Sequence, residues 1–159
     1  MPALPSFPVA SVASSREPWE LPHNRKHLFR RRICVIVKAL LKGIDHIQIA
    51  APPGCEPEAR SFFGHLLGLE EIEKPEPLRS RGGCWFKLGN KQLHIGVDQD
   101  FHPARKAHPA FSVDDIDHLF EKLSKAGIRC AWDDALDVIK RFYADDPWGN
   151  RLEFTEPTS

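Results

Sequence analysis

The chain has 159 residues, 42% of them hydrophobic, which supports one domain with a real core and leaves little room for a second. Its 22 Lys and Arg balance 22 Asp and Glu, so no overall charge directs it to nucleic acid or to a membrane surface. No run approaches the roughly 18 apolar residues of a membrane helix; the longest, ICVIVKALL, carries Lys38 inside it.

Residues 1–42 are rich in Pro, Ser and Arg and include the cluster RKHLFRRR. Three readings fit: a disordered extension or translation begun upstream of the natural start, an organelle transit peptide, or a nucleic-acid-binding arm. The segment is set apart from the fold. Cys34, Cys55, Cys84 and Cys130 follow no CxxC or zinc-ribbon spacing, so neither a disulfide framework nor a thiolate zinc site is expected. A reducing cytosol is the simplest setting.

From Gly43 the chain reads as two similar units, 43–98 and 106–157. IDHIQIA is expected to be a strand, and EPEARSFFGHLLG a helix with Pro57 in its first turn, apolar Ala59, Phe62, Phe63, Leu66 and Leu67, and Gly68 to end it. Strand-like LEEIEK, GGCWFKLG and KQLHIGV follow, the last two joined by Gly89-Asn90. The second unit repeats this with AHPAFSV, then the helix DDIDHLFEKLSKAG with Asp114 as its expected N-cap and Gly127 as its stop. IRCAWDD, VIKRFYAD and RLEFTE complete it, with DDPWGN as the turn before the last strand and Trp148 as that turn's packing anchor. The unit is β-α-β-β-β, written twice: an α+β fold in which two tandem βαβββ units form a concave mixed sheet around a cleft.

Alternation then separates the faces of the strands. Ile47 and Ile49 alternate with His46 and Gln48; Leu93, Ile95 and Val97 with Gln92 and His94; Phe111 and Val113 with His108 and Ser112; Leu152 and Phe154 with Glu153 and Thr155. The first and last strand of each unit therefore shows one apolar face and one bearing His or Glu. Ionisable groups on a buried face are costly unless paired or coordinating. His46, His94, His108 and Glu153 form a donor set that satisfies itself on a divalent metal, Zn, Ni, Fe or Mn being compatible with imidazole and carboxylate. His65 and His118 on helices, and His23 and His102 in loops, are read as solvated. Gln48, Trp85, Arg81 and Arg141 are candidates for a substrate pocket, an arginine there being suited to an anionic substrate group; Phe86, Arg79 and Tyr143 lie on or beside the same strands.

With these residues in view, IDHIQIA, FFGHLLGLEE, QLHIGV, AHPAFSVDDID and DPWGNRLEF resemble the vicinal oxygen chelate superfamily over Gly43 to about Glu156. That superfamily contains glyoxalase I, extradiol dioxygenases, fosfomycin-resistance thiol transferases and bleomycin-resistance proteins. The resemblance places metal ligands at His46, His94, His108 and Glu153, with His94 and Glu153 as catalytic groups. A glyoxalase I would have glutamate where His94 stands, whereas two histidines and a glutamate suffice in the transferases and dioxygenases. It thus implies a metal-dependent glyoxalase- or dioxygenase-like enzyme acting on a small oxygenated metabolite through bidentate chelation, working as a homodimer. The alternative it implies is a metal-free, ligand-sequestering protein of the bleomycin-resistance type.

Overall fold

A computed structural model describes residues 40–157. The expectations placed on residues 1–39 lie outside the described residues, and with them His23 and Cys34. The first unit runs β1 (His46–Ala51), α1 (Glu56–Ala59) continuing into a π-helical stretch (Arg60–Leu66), β2 (Glu71–Ile72), α2 (Glu76–Arg79), β3 (Trp85–Leu88) and β4 (Lys91–Val97). The second runs β5 (Ala110–Ser112), α3 (Ile116–Lys125), β6 (Cys130–Trp132), β7 (Ile139–Asp145) and β8 (Arg151–Pro157).

Each unit makes its own sheet, in the order β1-β4-β3-β2 and β5-β8-β7-β6. The β1·β4 and β5·β8 ladders are parallel and the others antiparallel. A parallel pair needs a crossover, and the amphipathic helix after the first strand of each unit provides it. The doubled βαβββ unit expected from the sequence is present.

Register explains the core. Ile47 lies opposite Leu93, Ile49 opposite Ile95 and Phe86 opposite Leu93, so the apolar alternation of three strands falls on one face. Phe62 and Phe63 of the helix cover that face, with Phe63 and Phe86 ring centroids 5.9 Å apart. In the second sheet Phe111, Phe154 and Phe142 share a row, and Phe120 of α3 meets Phe142 edge-on at 5.2 Å. Fully burying such side chains contributes about 1.5–3 kcal/mol each, which makes these two aromatic rows the main source of stability.

Several boundaries differ from the sequence reading. The helix after β1 widens to a π turn, with Leu67 N–H donating to Phe62 O at 2.9 Å, while Phe62 and Phe63 are both buried despite being adjacent. The N-cap of α3 is Asp115, one residue later than expected, and its side chain accepts from His118 N at 2.9 Å. β2 has only two residues, because Glu70, Glu71 and Glu73 stay exposed and give the strand little to bury. The short α2 was not expected. His108 precedes β5 rather than lying in it, and only Ala110–Ser112 pair with β8.

The DDPWGN turn ties the two units together. Buried Asp146 accepts from the backbone N–H of Trp148 and Asn150 and from Asn150 Nδ2. Asn150 Nδ2 also donates to Ala50 O in β1 at 2.9 Å, and its Oδ1 accepts from Ala104 N at 2.8 Å. One amide thus connects the turn, the first strand and the segment before β5. Trp148 packs partly buried against the core, as expected of the turn's anchor.

Candidate functional site

The faces opposite the core are polar, as alternation requires. On the first sheet, Gln48 pairs with His94, His46 with Gln92 and Trp85 with His94 in register. Trp85 and His94 stack with centroids 3.8 Å apart and planes 5° from parallel; His46 stacks on His94 at 4.3 Å. His94 Nε2 donates to Gln92 Oε1 at 2.8 Å, which leaves Nδ1 of the neutral ring as its lone-pair nitrogen. Burial, reinforced by the neighbouring His46, holds the His94 imidazole below the ordinary histidine value and favours that neutral form. His46 and Gln48 are exposed, so this face is less buried than the sequence suggested.

The second sheet carries a denser network. His108 Nδ1 donates to Lys106 O at 2.8 Å, and Nε2 lies 2.9 Å from Glu153 Oε2. Arg141 donates through Nη1 to Glu153 Oε1 at 3.3 Å and through Nη2 to Asp133 Oδ2 at 2.9 Å. Arg141 Nε is buried with no hydrogen-bond partner among the described residues. Tyr143 stands edge-on to His108 at 5.6 Å, and its phenol is pushed above the ordinary value by burial and then by the Glu153 charge. The Asp133 carboxyl is held low, first by the backbone N–H of Ala135 and further by Arg141.

The four expected ligands therefore form two pairs, His46 with His94 and His108 with Glu153, one on each sheet. Within one chain they do not close on a common point: among the described residues no group of three or more His, Cys, Asp or Glu side chains is placed to hold a metal ion. The donor chemistry of each pair suits a divalent cation, but one chain supplies only two donors at a time. A groove of about 560 Å³ runs between β1 and the segment entering β5, lined in part by Gln48, His108, Asn150 and Arg151.

The remaining candidates divide. Gln48, Arg81 and Trp85 line a smaller cavity of about 230 Å³ on the first sheet. Arg141 is enclosed in its carboxylate network, Phe86 lies fully in the core, and Arg79 is taken up by Glu73 and Glu76. His65, His102 and His118 are exposed, as expected. Three participants were missed: Gln92, Lys74 and Asp133. Gln92 shares the parity of His94, which was the available signal. Lys74 and Asp133 reach their places through loops, where alternation carries no information.

This is the architecture of a two-module α+β protein whose polar sheet faces carry matching ionisable pairs. The family model of the Glyoxalase/Bleomycin resistance protein/Dioxygenase superfamily matches residues 43–154, and the chain belongs to that superfamily. A crystal structure assigned to the glyoxalase family, from Bacillus anthracis, is 54% identical, covers 77% of this chain and 100% of its own, and superposes with a TM-score of 0.74. A glyoxalase family protein from Enterococcus faecalis is 27% identical over 74% of this chain and 100% of its own, with a TM-score of 0.59. Lactoylglutathione lyase from Agrobacterium tumefaciens, 18% identical over 74% of this chain and 96% of its own (TM-score 0.60), shares the fold. No curated protein sequence matches the chain. No described helix is long and apolar enough to cross a membrane.

Proposed function

We propose that the chain is a metal-dependent enzyme of glyoxalase or dioxygenase type acting on a small oxygenated metabolite, with His46, His94, His108 and Glu153 as the metal-holding set. The observation that carries this reading is the repetition: each module presents one two-donor pair on its polar face, from its first and last strands or the residues entering them. Because neither pair suffices alone, the reading requires a second copy, so that the pair of one chain meets the complementary pair of another in a homodimer. A divalent metal in such a site supplies a Lewis acid for substrate oxygens. The chain's own groups have separate tasks. Neutral His94 has one lone-pair nitrogen, Nδ1, its ring held by Trp85 and Gln92; that atom is either the fourth ligand or, where His46, His108 and Glu153 hold the metal, the proton acceptor. Glu153 is held in place by the Arg141 guanidinium 3.3 Å from its Oε1.

The second reading, metal-free ligand sequestration, draws support from Arg141. Its guanidinium already neutralises Glu153, which leaves that carboxylate less need of a metal. The two readings separate by metal analysis and sedimentation of the wild type, His46→Ala and Glu153→Ala. A bound metal lost in both variants, in a dimeric protein, upholds the enzyme reading; equal near-zero metal in all three overturns it in favour of sequestration. The segment 43–157 is proposed to be the whole functional domain, with a cytoplasmic setting.

A further inference from the structure

We infer that the cavity beside His94 is a subsite for a compact oxyanion, a carboxylate or phosph(on)ate group on a small ligand, held by Lys74 and Arg81. The inference rests on reading the β1–β4 face as the one that meets substrate, and it deepens that reading by giving the ligand an anionic end.

The cavity, about 230 Å³, is lined by Gln48, Lys74, Arg81, Gly82, Trp85 and Gly96 among others; among the described residues no carboxylate is part of that lining, Glu56 standing just behind Gly82. Lys74 and Arg81 give the lining two positive charges against the single Glu56 carboxylate that stands beside Gly82 and acts on Lys74, so the net potential of the recess favours an anion. Lys74 Nζ donates to Gly82 O, which fixes the ammonium and leaves it two further donors; among the described residues it forms no close ion pair, the Glu56 charge acting on it without direct contact. Among the described residues, exposed Arg81 forms no ion pair or side-chain hydrogen bond, unlike its neighbour Arg79, which is bound to Glu73 and Glu76. An arginine fork meets a carboxylate or phosphate through two parallel N–H donors, a geometry a lysine alone cannot give.

The recess is built by its backbone rather than left over between side chains. Gly83 has φ +79°, and a Cβ there would lie 2.0 Å from Ile95 O, so only glycine lets the turn after Arg81 press onto β4. Glu56 locks the same turn by accepting from Gly83 N at 2.6 Å. At Gly96 a Cβ would stand 2.8 Å from Gln48 Nε2, so the missing side chain makes room for the Gln48 amide at the cavity wall. Gln48 and Trp85 flank His94 in register, so the cavity shares a wall with the stacked histidines. A ligand anchored by its anion at Lys74 and Arg81 presents its other end to His94 and His46. The volume lies below the ~300–1,000 Å³ of drug-sized sites, which fits a small molecule or one end of a larger one.

The test is calorimetric titration of the full chain with methylphosphonate, propionate and the neutral propionamide. Both anions are expected to bind and propionamide not; the tighter anion tells whether phosphonate or carboxylate is preferred. Losing two charge-assisted bonds in Lys74→Met/Arg81→Gln should weaken anion binding by about tenfold or more. Arg81→Lys should recover part of it, and Lys125→Gln, on α3 and paired with Glu121 away from the cavity, should change nothing. Equal binding of propionamide, no anion binding by the wild type, or unchanged anion affinity in the double variant overturns the subsite. Metal content measured on the same samples keeps the two readings apart, since anion binding at Lys74 and Arg81 needs no metal. Absent metal with anion binding intact removes only the metal reading.

Discussion

The two modules share a fold and a core plan but treat their polar faces differently. On the first sheet His94 stacks between His46 and Trp85 with an exposed rim, and the cations Lys74 and Arg81 line a recess nearby. On the second, His108, Glu153, Arg141 and Asp133 compensate one another in a closed network. A duplicated unit thus keeps its apolar face, which the helix and sheet must bury, while the opposite face is free to diverge: one into an open recess suited to a ligand, the other into a set of paired charges.

Four substitutions break or sharpen this contrast, from the largest expected effect to the smallest. The shared core should respond alike: Phe86→Ala and Phe142→Ala, each removing a fully buried ring, are expected to cost about 3–5 kcal/mol in urea denaturation. A difference of several kcal/mol between them would show that one module carries the fold. The polar faces should respond unalike. Glu153→Ala takes one of two carboxylates from a mostly buried Arg141 and the partner from His108, and is expected to cost about 2–3 kcal/mol, whereas His46→Ala, on an exposed face, should stay within about 0.5 kcal/mol. Equal costs would contradict the closed-network account.

Asn150→Ala tests the link between modules. It leaves Ala50 O and Ala104 N without their partner and should lower stability by about 1–3 kcal/mol. Hydrogen exchange should quicken at both β1 and the segment before β5; quickening in only one would mean that the amide serves a single module.

The smallest effects concern pH, and they carry opposite signs. The Glu56 carboxyl is held low by the Gly83 N–H, so its stabilisation is present above its ordinary value of 4.5 and is lost as pH falls through the depressed value. The Asp146 carboxyl is pushed above its ordinary 3.8 by burial, so its contribution is present below that value and is lost as pH rises through the elevated one. Denaturation midpoints from about pH 3 to 7 should therefore lose acid sensitivity in Glu56→Gln and gain it in Asp146→Asn, relative to wild type. Shifts of the same sign in both would refute the assignment of causes.

Much of this was legible in the sequence, and what was legible shares one cause. Ile47, Ile49, Leu93, Ile95, Phe111 and Phe154 fall on core faces because side chains alternate along a strand whatever lies around it. The same alternation puts His46, His94 and Glu153 on the opposite faces, and the repeated helix spacing and the glycines at positions 68 and 127 give the doubled βαβββ unit. Local periodicity determines which face a residue occupies. It does not determine what that residue meets there. That Arg141 takes Glu153, that Lys74 and Arg81 share one recess, that Asn150 joins β1 to the segment before β5, and that the expected ligands come in two pairs rather than one cluster were decided by loop paths and module packing. Those contacts join residues many positions apart, and their partners are fixed only once the whole chain has folded.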